Sequence, residues 1–311
     1  MNKVVVVGSY NVDMTITTEV LPKVGETVIG KSLKYGHGGK GANQAVAAAR
    51  AGASVSFLAK VGSDQYGDRA IQALSLEGIG SEYIHQDSDT STGMAFITVN
   101  RLGENSIVVA SGANWTLSAA DIINNAEIFN DAEILLIQLE TPMSSVAAAI
   151  KNARLNHVKV ILNPAPAQHL DPELLKDVTI LTPNRVEAEM LTGIKIMDDE
   201  DLARSADLLH ILGVETVLIT LGDKGVFISN KGVQKLIPAV TVPAIDTVGA
   251  GDVFSGFLAA HYSGTDSLEK IVTLAGAAAG LSVTRRGAQT SIPHLDEVKD
   301  YLKEHAFIES T

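Results

Sequence analysis

Short β-branched runs alternate with longer stretches of helical apolar spacing through most of the chain, a rhythm that predicts a parallel sheet with crossover helices. Buried strands are expected at residues 4–7, 134–137, 158–162, 178–181 and 217–220. Each is a short, mostly apolar run rich in β-branched residues, as a strand covered on both faces requires. Leu202, Ala206, Leu209 and Leu212 share one face of an expected helix, which Gly213 would stop. The fold class read from this pattern is α/β.

Two segments, at about 14–35 and 92–110, break the rhythm. In the second, strand patterns at 94–99 and 106–110 flank a Gly103-Glu104-Asn105 turn and predict a hairpin. Strands outside a parallel core, split between two insertions, predict a small β lid over the main body; the plainer alternative is irregular loop. Because open strand edges invite pairing, a lid of this kind predicts a homodimer joined through it. With no internal repeat, low-complexity tract or linker in view, residues 1–311 are read as a single α/β domain carrying that lid.

Composition narrows the function. A chain of 311 residues, 46% hydrophobic and 19% charged, can bury a large core, which excludes bulk disorder. Acidic residues number 36 against 24 basic ones, a net charge of −12 that disfavours nucleic acid and anionic membranes as partners. The absence of cysteine removes disulfides, thiolate metal sites and cysteine nucleophiles, and points to the cytosol. Met1-Asn2-Lys3 leads into too short an apolar run for a secretory leader, and the uncharged stretch 271–284 is short of the ~20 apolar residues of a membrane span. The histidines show no zinc-ligand spacing.

Two glycine loops carry the candidate chemistry. Gly36-His37-Gly38-Gly39-Lys40-Gly41 satisfies the letter of a dinucleotide-binding fingerprint, and Asp64 follows downstream. The context fails it, since the preceding residues 31–35 are polar and basic where a buried strand should stand. Nor is it a Walker loop, because Gly41 follows Lys40 where Ser or Thr is needed. What remains is a glycine turn opening a helix, able to approach an oxygen-rich ligand or simply to turn. The second loop, Asp246-Thr247-Val248-Gly249-Ala250-Gly251-Asp252, lies between a strand-like 239–245 and a helical 254–261. Unobstructed N–H groups at Gly249, Ala250 and Gly251 would form an anion site at a helix start. Asp252 beside them could take a hydroxyl proton during phosphoryl transfer, or could merely complement the helix dipole.

Taken together, Gly38-Gly39-Lys40-Gly41-Ala42-Asn43-Gln44-Ala45 and Asp246 to Asp252 resemble the two signatures of the ribokinase (phosphofructokinase-B type) family of sugar kinases, in the right order and at the right separation. The resemblance runs from Val4 to the C-terminal region. It implies a Rossmann-like α/β fold with a β lid, and transfer of the γ-phosphoryl group of ATP to a sugar hydroxyl. Gly8-Ser9-Tyr10-Asn11-Val12-Asp13 and Lys40-Gly41 resemble the ribokinase branch most, which implies conversion of D-ribose to D-ribose 5-phosphate. Alternatives are 2-deoxyribose, fructose or a nucleoside as substrate, or a non-catalytic sugar sensor, against which the intact Asp252 argues.

By the same resemblance Asn11, Asp13, Gly39, Lys40, Asn43 and Glu140 hold the sugar, with Asp252 as base beside the anion hole of Gly249, Ala250 and Gly251. Asn184, Thr220, Gly222, Gly225 and Gly251 would contact ATP, and Glu187 would support Mg²⁺ indirectly. Gly276 stands where the family often places Asn or His beside adenine. Asp246, Val248, Ser282, Arg285, Gly287 and Ser291 match a K⁺ loop that uses mostly backbone carbonyls. Read without the resemblance, Asn11 and Asp13 could form an Asx turn, Glu187 could be a solvated helix acid, and Arg285 and Arg286 could sit on a solvated loop.

Overall fold

Val4 and Val6 pack into one apolar cluster and Val5 and Val7 into another. A strand with both faces covered in this way lies in the middle layer of a three-layer structure. In the computed structural model, residues 2–264 and 267–305 are described; Met1 and residues 265–266 and 306–311 of the expected 1–311 unit lie outside the described residues.

In chain order the first elements are β1 (Lys3–Val7), β2 (Asn11–Thr17), β3 (Ser32–Gly38), α1 (Lys40–Arg50), β4 (Ser54–Gly62), α2 (Gln65–Leu76) and β5 (Ile84–Asp87). Next come β6 (Gly93–Val99), β7 (Asn105–Ala110), α3 (Ala119–Asn124), β8 (Ile134–Ile137), α4 (Met143–Leu155), β9 (Lys159–Leu162), α5 (Pro172–Leu175) and β10 (Ile180–Leu181). The remainder is α6 (Arg185–Thr192), α7 (Asp199–Ile211), β11 (Thr216–Thr220), β12 (Val226–Asn230), β13 (Val233–Ile237), α8 (Ala250–His261), α9 (Leu268–Ser282) and α10 (Leu295–Glu304).

Nine strands form the main sheet in the order β13-β12-β11-β10-β9-β8-β1-β4-β5. All neighbours are parallel except β11–β12 and β12–β13. From β1 the chain winds outward through β4 to β5, then restarts on the other side of β1 at β8. That reversal places a crevice beyond the carboxyl ends of β1 and β8. The expected α/β class is therefore observed. A second sheet, β3-β2-β6-β7, has four strands and draws them from the two segments that broke the βαβ rhythm. Its β6–β7 pair is the expected hairpin, closed from Val99 to Asn105.

Several boundaries differ from expectation. No strand forms over 239–245, because Pro238 and Pro243 remove the amide donors a sheet ladder needs. The basic stretch 31–35, dismissed as a buried strand, belongs to the largely exposed β3 of the small sheet. Helix α7 begins at Asp199, three residues before the apolar face, because the Asp198 side chain caps the amide of Asp201. Helix α8 extends back to Ala250, ahead of the apolar pattern at 254–261, with Asp252 in its first turn as expected. Among the described residues no helix is long and apolar enough to cross a membrane.

Candidate active site

The site begins at the turn out of β1. Gly39 caps the start of α1 with φ of 87°, a left-handed conformation natural to glycine, and a Cβ there would lie 2.7 Å from the amide nitrogen of Asn11. Closeness of this kind brings the start of α1 against the start of β2. Asn114 then fixes Asn11: its amide brackets the Tyr10 backbone and donates to Asn11 Oδ1 at 2.8 Å. With that oxygen engaged, Asn11 Nδ2 is left to serve a ligand as donor. Asp13 follows two residues on, hence on the same face of β2.

Glu140, just after β8, accepts hydrogen bonds from Ser9 Oγ and, at 3.0 Å, from the Lys40 amide. Burial, reinforced by the charges of Glu140 and Asp252, pushes the Asp13 carboxyl up to about 6. Lys40 is shifted upward, chiefly by the attraction of Asp252 and against the cost of its burial, with Glu140 and Glu187 adding to it. One ammonium thus sits among several carboxylates.

At the other wall, Gly249 with φ of 77° turns the chain into α8. The first-turn amides there have no helical partner, and the Ala250 amide makes only a long contact, 3.4 Å, to the Thr247 carbonyl. Asp252 is buried to 5% exposure. Asn43 Nδ2 donates to its Oδ2 at 2.9 Å and Gln44 Nε2 to its Oδ1 at 3.0 Å. The helix-dipole reading alone does not account for a carboxylate held by two side-chain amides.

A cleft of about 220 Å³ brings together Lys40, Asn184, Glu187, Thr220 and Gly249 through Asp252. Asn184 and Glu187 form a reciprocal cap at the start of α6, with bonds of 2.8 and 2.9 Å. Glu187 is nevertheless buried, and burial raises its pKa, which overturns the reading of it as a solvated acid. Thr220 ends β11 and bridges to Asn184. Gly222 opens a short turn at 222–224, whereas Gly225 is pressed against the Ile237 carbonyl; neither lines the cleft. Gly276 lies within α9 with open space where a side chain would stand.

The two halves of the expected cation loop do meet. Asp246 accepts from the Gly287 and Val248 amides at 2.9 and 3.1 Å, and its own amide donates to the Val283 carbonyl. The hydroxyls of Ser282 and Ser291 donate to the backbone carbonyls of Ala279 and Ala288, each three residues earlier. Arg285 pairs with Glu297. A second cavity, about 260 Å³, lies at the opposite end of β1 and β4 and contains none of these residues.

Residue-level reading missed Gln44, Asn114, Gln138 and Asn163, all buried polar residues. Gln44 lies inside the first glycine loop, a usable signal; the other three carry no local signature and are found only by where strands and turns end.

The profile of pfkB family carbohydrate kinases matches residues 1–295. A ribokinase from Haemophilus influenzae is 46% identical over 301 residues, covering 97% of this chain and 98% of that protein. A deoxyribokinase from Salmonella typhi is 37% identical, with 96% and 98% covered. The structure of Arabidopsis thaliana ribokinase complexed with ribose and ATP superposes with a TM-score of 0.91 at 34% identity, covering 97% of this chain and 99% of that one. A match of this extent, on a chain whose two glycine loops meet at one cleft, means that the protein belongs to the pfkB family of carbohydrate kinases.

Proposed function

We propose that the protein transfers the γ-phosphoryl group of ATP to the terminal hydroxyl of D-ribose, giving D-ribose 5-phosphate. The observation that carries this reading is Asp252, buried, held by two amides, and set in the first turn of a helix whose opening N–H groups line the same cleft. Phosphoryl transfer needs little covalent chemistry from the protein, so position and charge do the work. Asp252 accepts the hydroxyl proton as the sugar oxygen attacks phosphorus. The amides of Gly249, Ala250 and Gly251, with the positive end of α8 and the Lys40 ammonium, hold the charge on the transferring group.

Asn11, Asp13, Asn43 and Glu140, with Gly39 and Lys40, supply the sugar side. Asn43 Oδ1 is buried without a partner among the described residues, an acceptor that a sugar hydroxyl satisfies. Asn184, Thr220 and Gly251 take the nucleotide, with Gly222 at the rim. Among the described residues no group of three His, Asp or Glu side chains forms a metal cage. Glu187 would hold Mg²⁺ indirectly, and the ion would supply charge neutralisation for the phosphates. Asp246 and the backbone carbonyls of Val248, Ser282, Arg285, Gly287 and Ser291 would hold K⁺, whose charge would steady the loop that leads into the anion hole. The small sheet serves as lid and dimer surface, and a cytosolic setting fits a chain without cysteine.

The test is Asp252→Asn. With ribose and ATP, kcat is expected to fall by about 10²- to 10⁴-fold while KM for ATP is retained. Near-normal turnover would remove Asp252 from the role of base.

A further inference from the structure

Three buried amides are joined by one-way hydrogen bonds: the path from Gln138 through Gln44 ends on Asp252, and a branch from Gln44 through Asn163 ends on the Thr182 carbonyl. Gln138 Nε2 donates to Gln44 Oε1 at 2.7 Å. Gln44 Nε2 donates both to Asp252 Oδ1 at 3.0 Å and to Asn163 Oδ1 at 3.1 Å. Asn163 Nδ2 donates in turn to the Thr182 carbonyl at 3.0 Å. Each orientation is forced: a carboxylate and a carbonyl only accept, so Asp252 and Thr182 claim the NH₂ ends of Gln44 and Asn163, leaving Gln44 Oε1 for Gln138. Gln44 and Gln138 are wholly buried, at 0% exposure. Turning the Gln44 amide would therefore leave buried donors and acceptors unmet.

We propose that Gln44 is a positioning residue for phosphoryl transfer: together with Asn43 on the opposite oxygen, it clamps the plane of the Asp252 carboxylate and aims its remaining lone pairs at the acceptor hydroxyl. The inference rests on the reading of Asp252 as base. It assigns to Gln44 a duty that packing alone would not need, since an apolar side chain of equal length would fill the same space between α1 and α8. The relay also ties three elements to the base, because Gln138 follows β8, Asn163 follows β9 and Gln44 lies on α1.

A double-mutant cycle separates the alternatives. Gln44→Met keeps the volume and removes the hydrogen bonds; kcat is expected to fall roughly 10- to 100-fold, with KM for ribose and ATP within about two-fold of the wild type. In an Asp252→Ala background, the same substitution is expected to change kcat by less than about two-fold, because the group it aims is gone. Equal losses in both backgrounds, or a loss expressed in KM, would make Gln44 a packing residue and overturn the proposal. If Gln44→Met does not fold, Gln138→Met, one step back along the relay, gives a smaller kcat loss with the same dependence on Asp252, and an additive loss is again the contradicting result. A fully active Asp252→Ala overturns the base itself; an inactive Asp252→Ala beside an unimpaired Gln44→Met overturns only the relay.

Discussion

At the scale of single residues, the site is organised by the cost of crowding carboxylates in a half-dry cleft. Asp13 shows it most clearly: burial, then Glu140, then Asp252, raise it from 3.8 to about 6. Folding thus favours its protonated form, so the native chain holds more protons than the unfolded one across that window. The stability this contributes is complete below 3.8 and is lost as pH rises through about 6. Sugar binding runs the other way, because a hydroxyl donor needs the ionised acceptor. We expect kcat/KM for ribose to climb through about pH 6 and then level off. Asp13→Asn should flatten that limb and lower the plateau by about 10- to 150-fold, the worth of a hydrogen bond to a charged group. Profiles of both proteins between about pH 5 and 8 check this; an unchanged limb in the variant would assign the titration elsewhere. At this scale the sequence singled out Asn11, Asp13 and Asp252 as candidates, because each sits beside a glycine loop or a strand end. Gln44 was visible only as a member of the first glycine loop and Asn163 not at all, since their importance lies in hydrogen bonds across the chain, from Gln44 to Asp252 208 positions away and from Gln44 to Asn163 119 positions away, which no local pattern records.

At the scale of elements, α1 and α8 are the two arms that carry the site, and their contact is made through small residues. A Cβ on Gly256 would lie 2.5 Å from Ala47 Cβ and 2.7 Å from the Gln44 carbonyl. Gly256→Ala therefore drives the helices apart at the turn that bears Gln44. Overpacking of this kind costs about 1–3 kcal/mol, so the melting temperature is expected to drop, with kcat falling more than ATP affinity. Calorimetry and steady-state kinetics read both; an unshifted melting temperature would contradict the tight helix contact. The strong apolar runs of β1, β8 and β11 were plain in sequence, as buried parallel strands are. The weak places were physical too: prolines cancelled an apolar run at 239–245, and the side chain of Asp198 started α7 earlier than its apolar face implied. Strand β3 was hard to read because it is largely exposed and its apolar Leu33 and Tyr35 alternate with Ser32, Lys34 and Gly36, so it carries no buried apolar run.

At the scale of the whole molecule, the small sheet has two characters. One face carries Asn11 and Asp13. The other, by strand alternation, carries Ile16, Leu33, Tyr35, Phe96 and Val108, each at least 38% exposed. An apolar face on a chain with a net charge of −12 is a surface suited to a second copy. Light scattering is expected to give a dimer, and Phe96→Asp with Val108→Asp a folded monomer; a wild-type monomer at all concentrations would contradict this role for the lid. The central claim, however, concerns chemistry. The measurement that reaches it most directly is ³¹P NMR of Mg²⁺ and ATP with ribose, 2-deoxyribose, fructose and nucleosides in turn, run in KCl and in NaCl at equal ionic strength. The account predicts that the γ-phosphorus signal passes fastest to ribose, as ribose 5-phosphate, and faster with K⁺ than with Na⁺. Transfer to one of the other acceptors while ribose is left untouched would contradict it.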